Sequence, residues 1–271
     1  VPSGVGGARN AVVGNSSAAV ESGPIGNLET FENLTTDGNE YFIARCPGSY
    51  GNSLQVIIGW SGEANDTAGL AAAETSVSNA DIINNFDYLP TTTDAGTAAG
   101  VIGDEIHVLV IDEGGLFTGI KGSILEKYQG LSLAKGAKLD TGATNYYKDV
   151  INAGSQYLFA NTLGDLFDGA DVAFNLDIIL NAGTSATLTS GAKDLSFTLG
   201  ADGTLKDSEV VTALGLFADA ESVDVNLLFA DPMSTADTTD KSQKVVEAEV
   251  LSIVAARKDC LGCGSAPIDL H

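Results

Sequence analysis

The residues Glu105-Ile106-His107-Val108-Leu109-Val110-Ile111-Asp112 constrain the fold more than any other stretch of this chain. Branched aliphatic side chains fill it almost without a break, so neither face suits water. It predicts a strand buried on both sides, which needs packed layers around it. Gly114-Gly115 then turns the chain, and residues 123–133 supply a second strand, so the pair predicts a hairpin. Two earlier strands are predicted at Glu40-Tyr41-Phe42-Ile43-Ala44 and Leu54-Gln55-Val56-Ile57-Ile58. The Pro47-Gly48 pair between them favours a turn.

Other elements follow from local signals. Residues 146–153 predict a short helix that Gly154 closes in a left-handed conformation, and residues 155–160 a strand. Residues 161–205 are loop-rich, with strand signals at 172–176 and 195–199. A helix is expected over 208–218, capped by Asp207 or Ser208, then a strand over 222–229. Residues 243–258 give the clearest helix, with Val246, Val250, Ile253 and Val254 on one stripe. The organisation reads as an irregular lead-in over 1–40, a β-rich central domain over 41–205, and an α/β segment over 206–271. Residues 61–100 read as a polar surface excursion with a short helix near 79–85. The fold class is α+β: sandwich-like mixed sheets flanked by helices, with an α/β layer in the last third.

Charge narrows the partners. Lys and Arg number 13 against 36 Asp and Glu, a net charge of −23. A nucleic-acid binder needs cations to displace phosphate counterions, and an anionic membrane surface needs them equally, so both are disfavoured. Hydrophobic residues make up 44% of the chain, which argues against disorder. Only 18% of residues are charged, so the imbalance is a shortage of cations more than a surplus of acids. No run of 18 apolar residues occurs, so no spanning helix and no membrane insertion are expected. The first residues have no signal-peptide pattern and no Met, which reads as a processed chain or a fragment. Three cysteines are too few for a disulfide framework, and a reducing compartment is the default.

A search for chemistry returns no catalytic constellation. His107 lies inside an apolar strand and His271 is the last residue, so His107 reads as a satisfied structural side chain. Gly59-Trp60-Ser61-Gly62-Glu63 lacks the final Gly of a nucleophile elbow. In residues 115–122, Lys121 follows no Gly and precedes no Ser or Thr, so a phosphate loop is rejected for a hairpin loop. Cys260 and Cys263 follow a helix instead of opening one, and lack further zinc ligands at usable spacing. Asp202-Gly203 and the Asp237/Asp240 pair do not match a calcium loop. Acids at Asp87, Asp94, Asp237 and Asp240 are expected to face solvent. The sequons at Asn15, Asn33 and Asn65 mean nothing without a secretory context. No cofactor and no metal are expected, and an enzyme using His107 or the Cys260/Cys263 pair is the weakest reading.

Several patterns, in order, resemble one family. Residues 44–56, with Pro47, Gly48, Gly51 and Asn52, look like an "A-x-x-P-G-x-x-G-N-x-L-x-V" motif. Gly154-Ser155-Gln156-Tyr157-Leu158-Phe159-Ala160 is similar to "G-S-x-Y-x-x-A", and Leu199-Gly200-Ala201-Asp202-Gly203 to an "L-x-G-G-x-D-G" turn in which Ala201 departs from the pattern. Residues 217–227, with Phe217, Asp219, Ser222 and Asp224, followed by Asp259-Cys260-Leu261, complete the set. Together they resemble the tail sheath proteins of contractile-tailed bacteriophages, those of the T-even-like phages in particular. The resemblance covers roughly residues 40–265, and the quoted residues are structural motifs in it.

It implies a subunit that stacks as hexameric rings around a tail tube in the virion and contracts to drive the tube through the host envelope. Partners would be other copies of the chain and, through parts not evident here, the tube and baseplate; assembly would occur in the bacterial cytoplasm. The chain reads as the central portion of such a protein. An adhesin-like phage domain that binds the host surface is the alternative, suggested by the Gly-, Ser-, Thr- and Asn-rich composition.

Overall fold

A computed structural model describes residues 8–14, 24–33, 40–60, 85–99, 101–161, 163, 178–179, 186–187, 191–203, 206–221, 223–230 and 242–264. The expected strand at 172–176, most of the helix at 79–85, and Ser222, Asp237, Asp240 and His271 lie outside these residues. So do Ser61, Gly62 and Glu63 and the Asn15 and Asn65 sequons. The fold is mixed α+β, with antiparallel sheets and helices. The chain divides into two units, Arg9–Asp202 and Gly203–His271 with Val1–Ala8.

The elements of the first unit run in this order: β1 Asn10–Gly14, α1 Leu28–Glu32, β2 Glu40–Pro47, a 3-10 turn Ser49–Ser53, β3 Leu54–Trp60, α2 Asp94–Ala99, β4 Val101–Ile102, β5 Glu105–Asp112, β6 Ser123–Ser132, β7 Ala134–Lys135, α3 Tyr147–Gly154, β8 Leu158–Ala160, β9 Ile178–Ile179, β10 Ala186–Thr187 and β11 Gly191–Ser196. Two antiparallel sheets dominate, ordered β11-β3-β5-β6 and β1-β2-β8. The lead-in segment thus contributes an edge strand, β1, to the smaller sheet.

Alternation along the strands explains the layers. Val56, Ile58 and Trp60 of β3 and Ile106, Val108 and Val110 of β5 meet Phe42, Ala44, Leu158 and Ala160 in one core between the sheets. The intervening residues face outward. Ile57, Leu109 and Ile111 are covered by Phe86 and Leu89. Ile43 and Phe159, on the far side of the smaller sheet, pack with Val12, Ile25 and Phe31. All eight β5 residues are buried, as the sequence run requires. The described part of the 61–100 stretch is therefore no simple excursion, because its apolar residues close the outer face of the larger sheet.

Some boundaries differ from expectation for local reasons. Gly154 is the last residue of α3 and does not turn left-handed; Ser155 leaves the helix extended at φ −68 and ψ 139. The Ser155 hydroxyl accepts from the Tyr157 and Leu158 amides, so β8 starts only at Leu158. The strand expected at 195–199 lies at Gly191–Ser196. Beyond it the Phe197 amide still donates to Leu54 of β3, and Thr198 then bridges to Val12 of β1.

The second unit contains α4 Asp207–Gly215, β12 Leu227–Ala230, α5 Ser242–Arg257 and β13 Leu261–Gly264. β12 and β13 are parallel, so β12-α5-β13 forms a βαβ unit. Val210, Leu228, Val246, Val250 and Ile253 form its core. The residue capping α4 is Lys206, not Asp207 or Ser208, because the Glu209 carboxylate reaches back to accept from the Lys206 amide at 3.0 Å. No helix among the described residues is long and apolar enough to cross a membrane.

Candidate functional site: a clipped loop junction

Two of the sequence motifs, about 150 residues apart, meet in the first unit. After β2 the chain turns at Gly48, whose φ of 123 is closed to most side chains. The Ser49 amide donates to Asp202 Oδ1 at 2.8 Å, and the Ser49 hydroxyl to Oδ2 at 2.6 Å. The Asn52 side chain then pairs with the Gly200 backbone in both directions. Its Nδ2 donates to the Gly200 carbonyl at 2.9 Å, and its Oδ1 accepts from the Gly200 amide at 2.8 Å. Asparagine suits this role because one amide presents a donor and an acceptor side by side, as a strand backbone does. Both Ser49 bonds hold the exposed Asp202 carboxyl below its ordinary pKa, the hydroxyl bond first.

Close packing completes the junction. A Cβ on Gly51 would lie 2.8 Å from Ala11 Cβ and 2.9 Å from Ala44 Cβ, so only glycine lets the 3-10 turn sit on β1 and β2. Arg9 accepts from the amides of both Gly48 and Ala201 through its carbonyl, tying β1 into the same knot. Leu199 takes a left-handed φ of 66, a strained conformation of about 1–2 kcal/mol that the junction must hold in place.

The structure thus brings Gly48, Gly51, Asn52 and Asp202 of the motif residues together, next to Pro47 at the end of β2. Gly203 begins the second unit. The later motif residues form a separate arrangement there. The Arg257 side chain, fully covered, donates to the carbonyls of Phe217 at 2.7 Å and Val223 at 2.9 Å. It also grips Asp259 through two bonds of 2.9 Å. Arg257 holds the Asp259 carboxyl below its ordinary pKa. Asp219 accepts from the Glu221 amide, and Asp224 adds its charge to the field around Arg257. The strand expected from 222 begins at Leu227, and the Val223 carbonyl ahead of it is taken by Arg257. Cys260 packs against the core of this unit, and Cys46, Cys260 and Cys263 are free thiols.

Further anchoring residues carry no sequence motif. Asp112, at the end of β5, takes the Ser53 hydroxyl on one oxygen and the Phe117 amide, Thr118 amide and Thr118 hydroxyl on the other. Burial alone would raise its pKa, but those bonds outweigh it and hold the carboxyl below its ordinary value. They also order the loop that the sequence resembled to a phosphate site only loosely. Glu126 accepts from Tyr128, Ser155 and the Gln156 amide. Asp104 and Glu105 anchor Thr93, and Tyr88 with Thr91, in the same manner. An acid at a strand end before Gly-Gly was the available signal for Asp112; the others are captured only in three dimensions.

The junction ties together segments of the first unit that lie far apart in sequence. His107 is completely buried with both ring nitrogens engaged. Among the described residues, no three His, Cys, Asp or Glu side chains gather to hold a metal ion. Asp87 and Asp94 are exposed. No protein-family model matches the chain, and no curated protein sequence matches it.

Proposed function

We propose that this chain is part of a structural subunit of a contractile bacteriophage tail sheath, which polymerises around a tail tube in the virion and contracts to drive it through the host envelope. The ordered set of motifs carries the reading. That the Pro47–Asn52 motif and the Gly200–Asp202 motif clip to each other supports it, since it gives both motifs a structural role. A subunit that moves as a rigid body between two lattices requires such internal clamps.

The surface is compatible with association. Leu216, Phe229, Leu251 and Leu261 of the second unit are each more than 60% exposed. With 13 cations against 36 acids, contacts between copies must draw on apolar area and backbone pairing more than on ion pairs. Like charges would meanwhile keep neighbouring assemblies apart.

The test is negative-stain microscopy and sedimentation of the full-length native protein. Rings or tubes are expected, with association strengthening from low to high salt as repulsion is screened. Failure to form any ring or tube across those conditions would sink the reading. Assembly indifferent to salt would remove the role given to charge.

A further inference from the structure

The smaller sheet, ordered β1-β2-β8, has two borders, and a border of unpaired backbone is a template for another strand. On the β1 side the chain's own backbone meets the border. Val12 exchanges hydrogen bonds with Thr198, and Arg9 with Ala201. On the β8 side, register shows which groups are left over. The Asn161 amide donates to the Tyr41 carbonyl, and the Arg45 amide to the Tyr157 carbonyl, so residues 157, 159 and 161 bond toward β2. Bonding direction alternates along a strand. The amides and carbonyls of Leu158 and Ala160 therefore point away from the sheet.

Side chains take all four of these groups. The Leu158 amide donates to the Ser155 hydroxyl at 3.1 Å, and the Leu158 carbonyl accepts from Arg45 Nε at 3.2 Å. The Ala160 amide donates to Asn152 Oδ1 at 2.7 Å, and the Ala160 carbonyl accepts from Asn152 Nδ2 at 3.1 Å. Asn152, on α3, thus offers Ala160 the donor and the acceptor that a neighbouring strand would offer. Arg45 reaches the border from β2, across the Phe159 ring, and its Nη2 donates to the Asn152 carbonyl at 2.6 Å. That bond ties α3 to the same border. The strand needs such cover. Leu158, Phe159 and Ala160 are apolar and fully buried, and a strand of this kind with an open border pairs readily with its like.

We propose that Asn152, Ser155 and Arg45 seal the β8 border against strand addition by a second copy of this chain. Strand addition needs backbone donors and acceptors free in the register of a strand, and here each is already engaged. An incoming strand would also have to displace the Arg45 guanidinium from two carbonyls, leaving a half-buried cation short of partners. The smaller sheet is thereby held at three strands. Copies of the chain are left to meet through other surfaces. The seal stands whether or not the chain belongs to a sheath.

The experiment compares the intact chain with Asn152→Ala, by sedimentation over a range of concentrations and by amide hydrogen exchange at Ala160. The substitution frees the Ala160 amide and carbonyl together. In dilute solution Ala160 should exchange about tenfold faster than in the wild type, the protection of roughly one hydrogen bond. As concentration rises, the variant should form larger species and Ala160 should become protected again, because a second copy's strand takes the place of Asn152. The wild type should show no such concentration dependence at Ala160. Asn152→Asp keeps an acceptor for the Ala160 amide and sets a charge on the border, which blocks strand addition, so it should associate no more than the wild type. Ser155→Ala frees the Leu158 amide on the same border, and its association with exchange at Leu158 decides if Asn152→Ala does not fold. An opened border that associates no more than the wild type, an unchanged exchange rate in dilute solution, larger species in which the freed amide stays unprotected, or equal association in Asn152→Asp overturns the proposal.

Discussion

In the Arg9–Asp202 unit, the charged side chains that organise the backbone are mostly carboxylates, whereas in the Gly203–His271 unit a guanidinium joins the carboxylates of Glu209 and Asp219 in that work. Asp104, Glu105, Asp112 and Glu126 each collect neutral donors, and none pairs with a cation among the described residues. Arg45 works beside them by donating to the Leu158 and Asn152 carbonyls and lying 4.3 Å over the Phe159 ring. In the second unit, Arg257 gathers two carbonyls and Asp259 at one point. The difference follows from resources. A chain short of Lys and Arg saturates its buried acids with hydroxyls and amides where a large sheet core positions them. It uses a cation where the core is small.

Core size gives the largest expected contrast. Ile106 is completely buried between two sheets, and Ile253, 2% exposed, lies in the five-residue core of the second unit. Both changes to Ala remove the same atoms, at a cost of about 2–5 kcal/mol. Ile106→Ala should fall near the top of that range and Ile253→Ala near the bottom, because a thin layer collapses onto a cavity more easily. Trp60, the only tryptophan, sits in the first core and reports its unfolding by fluorescence. Thiol reactivity of Cys260, packed on the second core, reports the other unit. Equal losses would mean that the two cores are equally rigid and would erase the contrast.

How much of this was legible in sequence depends on range. The β5 run declared a doubly buried strand because period and composition are local signals, and α5 showed its stripe for the same reason. Helix ends were less legible. The cap of α4 depends on Glu209 reaching backwards, and the exit from α3 on Ser155 being caught by Glu126. The clipped junction was half visible. Both motifs stood out in the chain, but nothing local says that Asn52 will pair with Gly200. Nothing local marks Arg257, since its carbonyl partners lie 34 and 40 residues earlier.

A second prediction concerns how the acids act. Asp112→Asn keeps one acceptor but turns an NH₂ toward amides that also donate, or leaves a buried group unpaired, costing about 1–3 kcal/mol. Its pH dependence has a definite sign. The folded carboxyl binds its proton less readily than the unfolded one, so its stabilisation is complete above the ordinary carboxylate pKa. It is lost as pH falls through the lower folded value. Denaturation midpoints of the wild type should therefore drop on the acid side, and Asp112→Asn should flatten part of that limb. An unchanged acid limb would show that other carboxylates carry it and would blunt the contrast between the units.

The smallest expected effect tests whether the junction is a clamp or a bystander. Asn52→Ala deletes both bonds to Gly200 while leaving the Gly51 packing and the Ser49–Asp202 bonds in place. Water can reach this exposed site and replace part of what is lost, so the global cost should be only about 0.5–1.5 kcal/mol. The local cost should be larger in kind. Leu199, held at φ 66, would relax once its neighbour Gly200 is released. Amide exchange at Gly200 and Ala201 should then rise more than exchange in β3 or β5, whose ladders do not touch the junction's side chains. A uniform rise across the unit would mean that Asn52 contributes to the sheets as a whole. A local rise assigns it to holding the junction, the rigidity that a sheath subunit would need there.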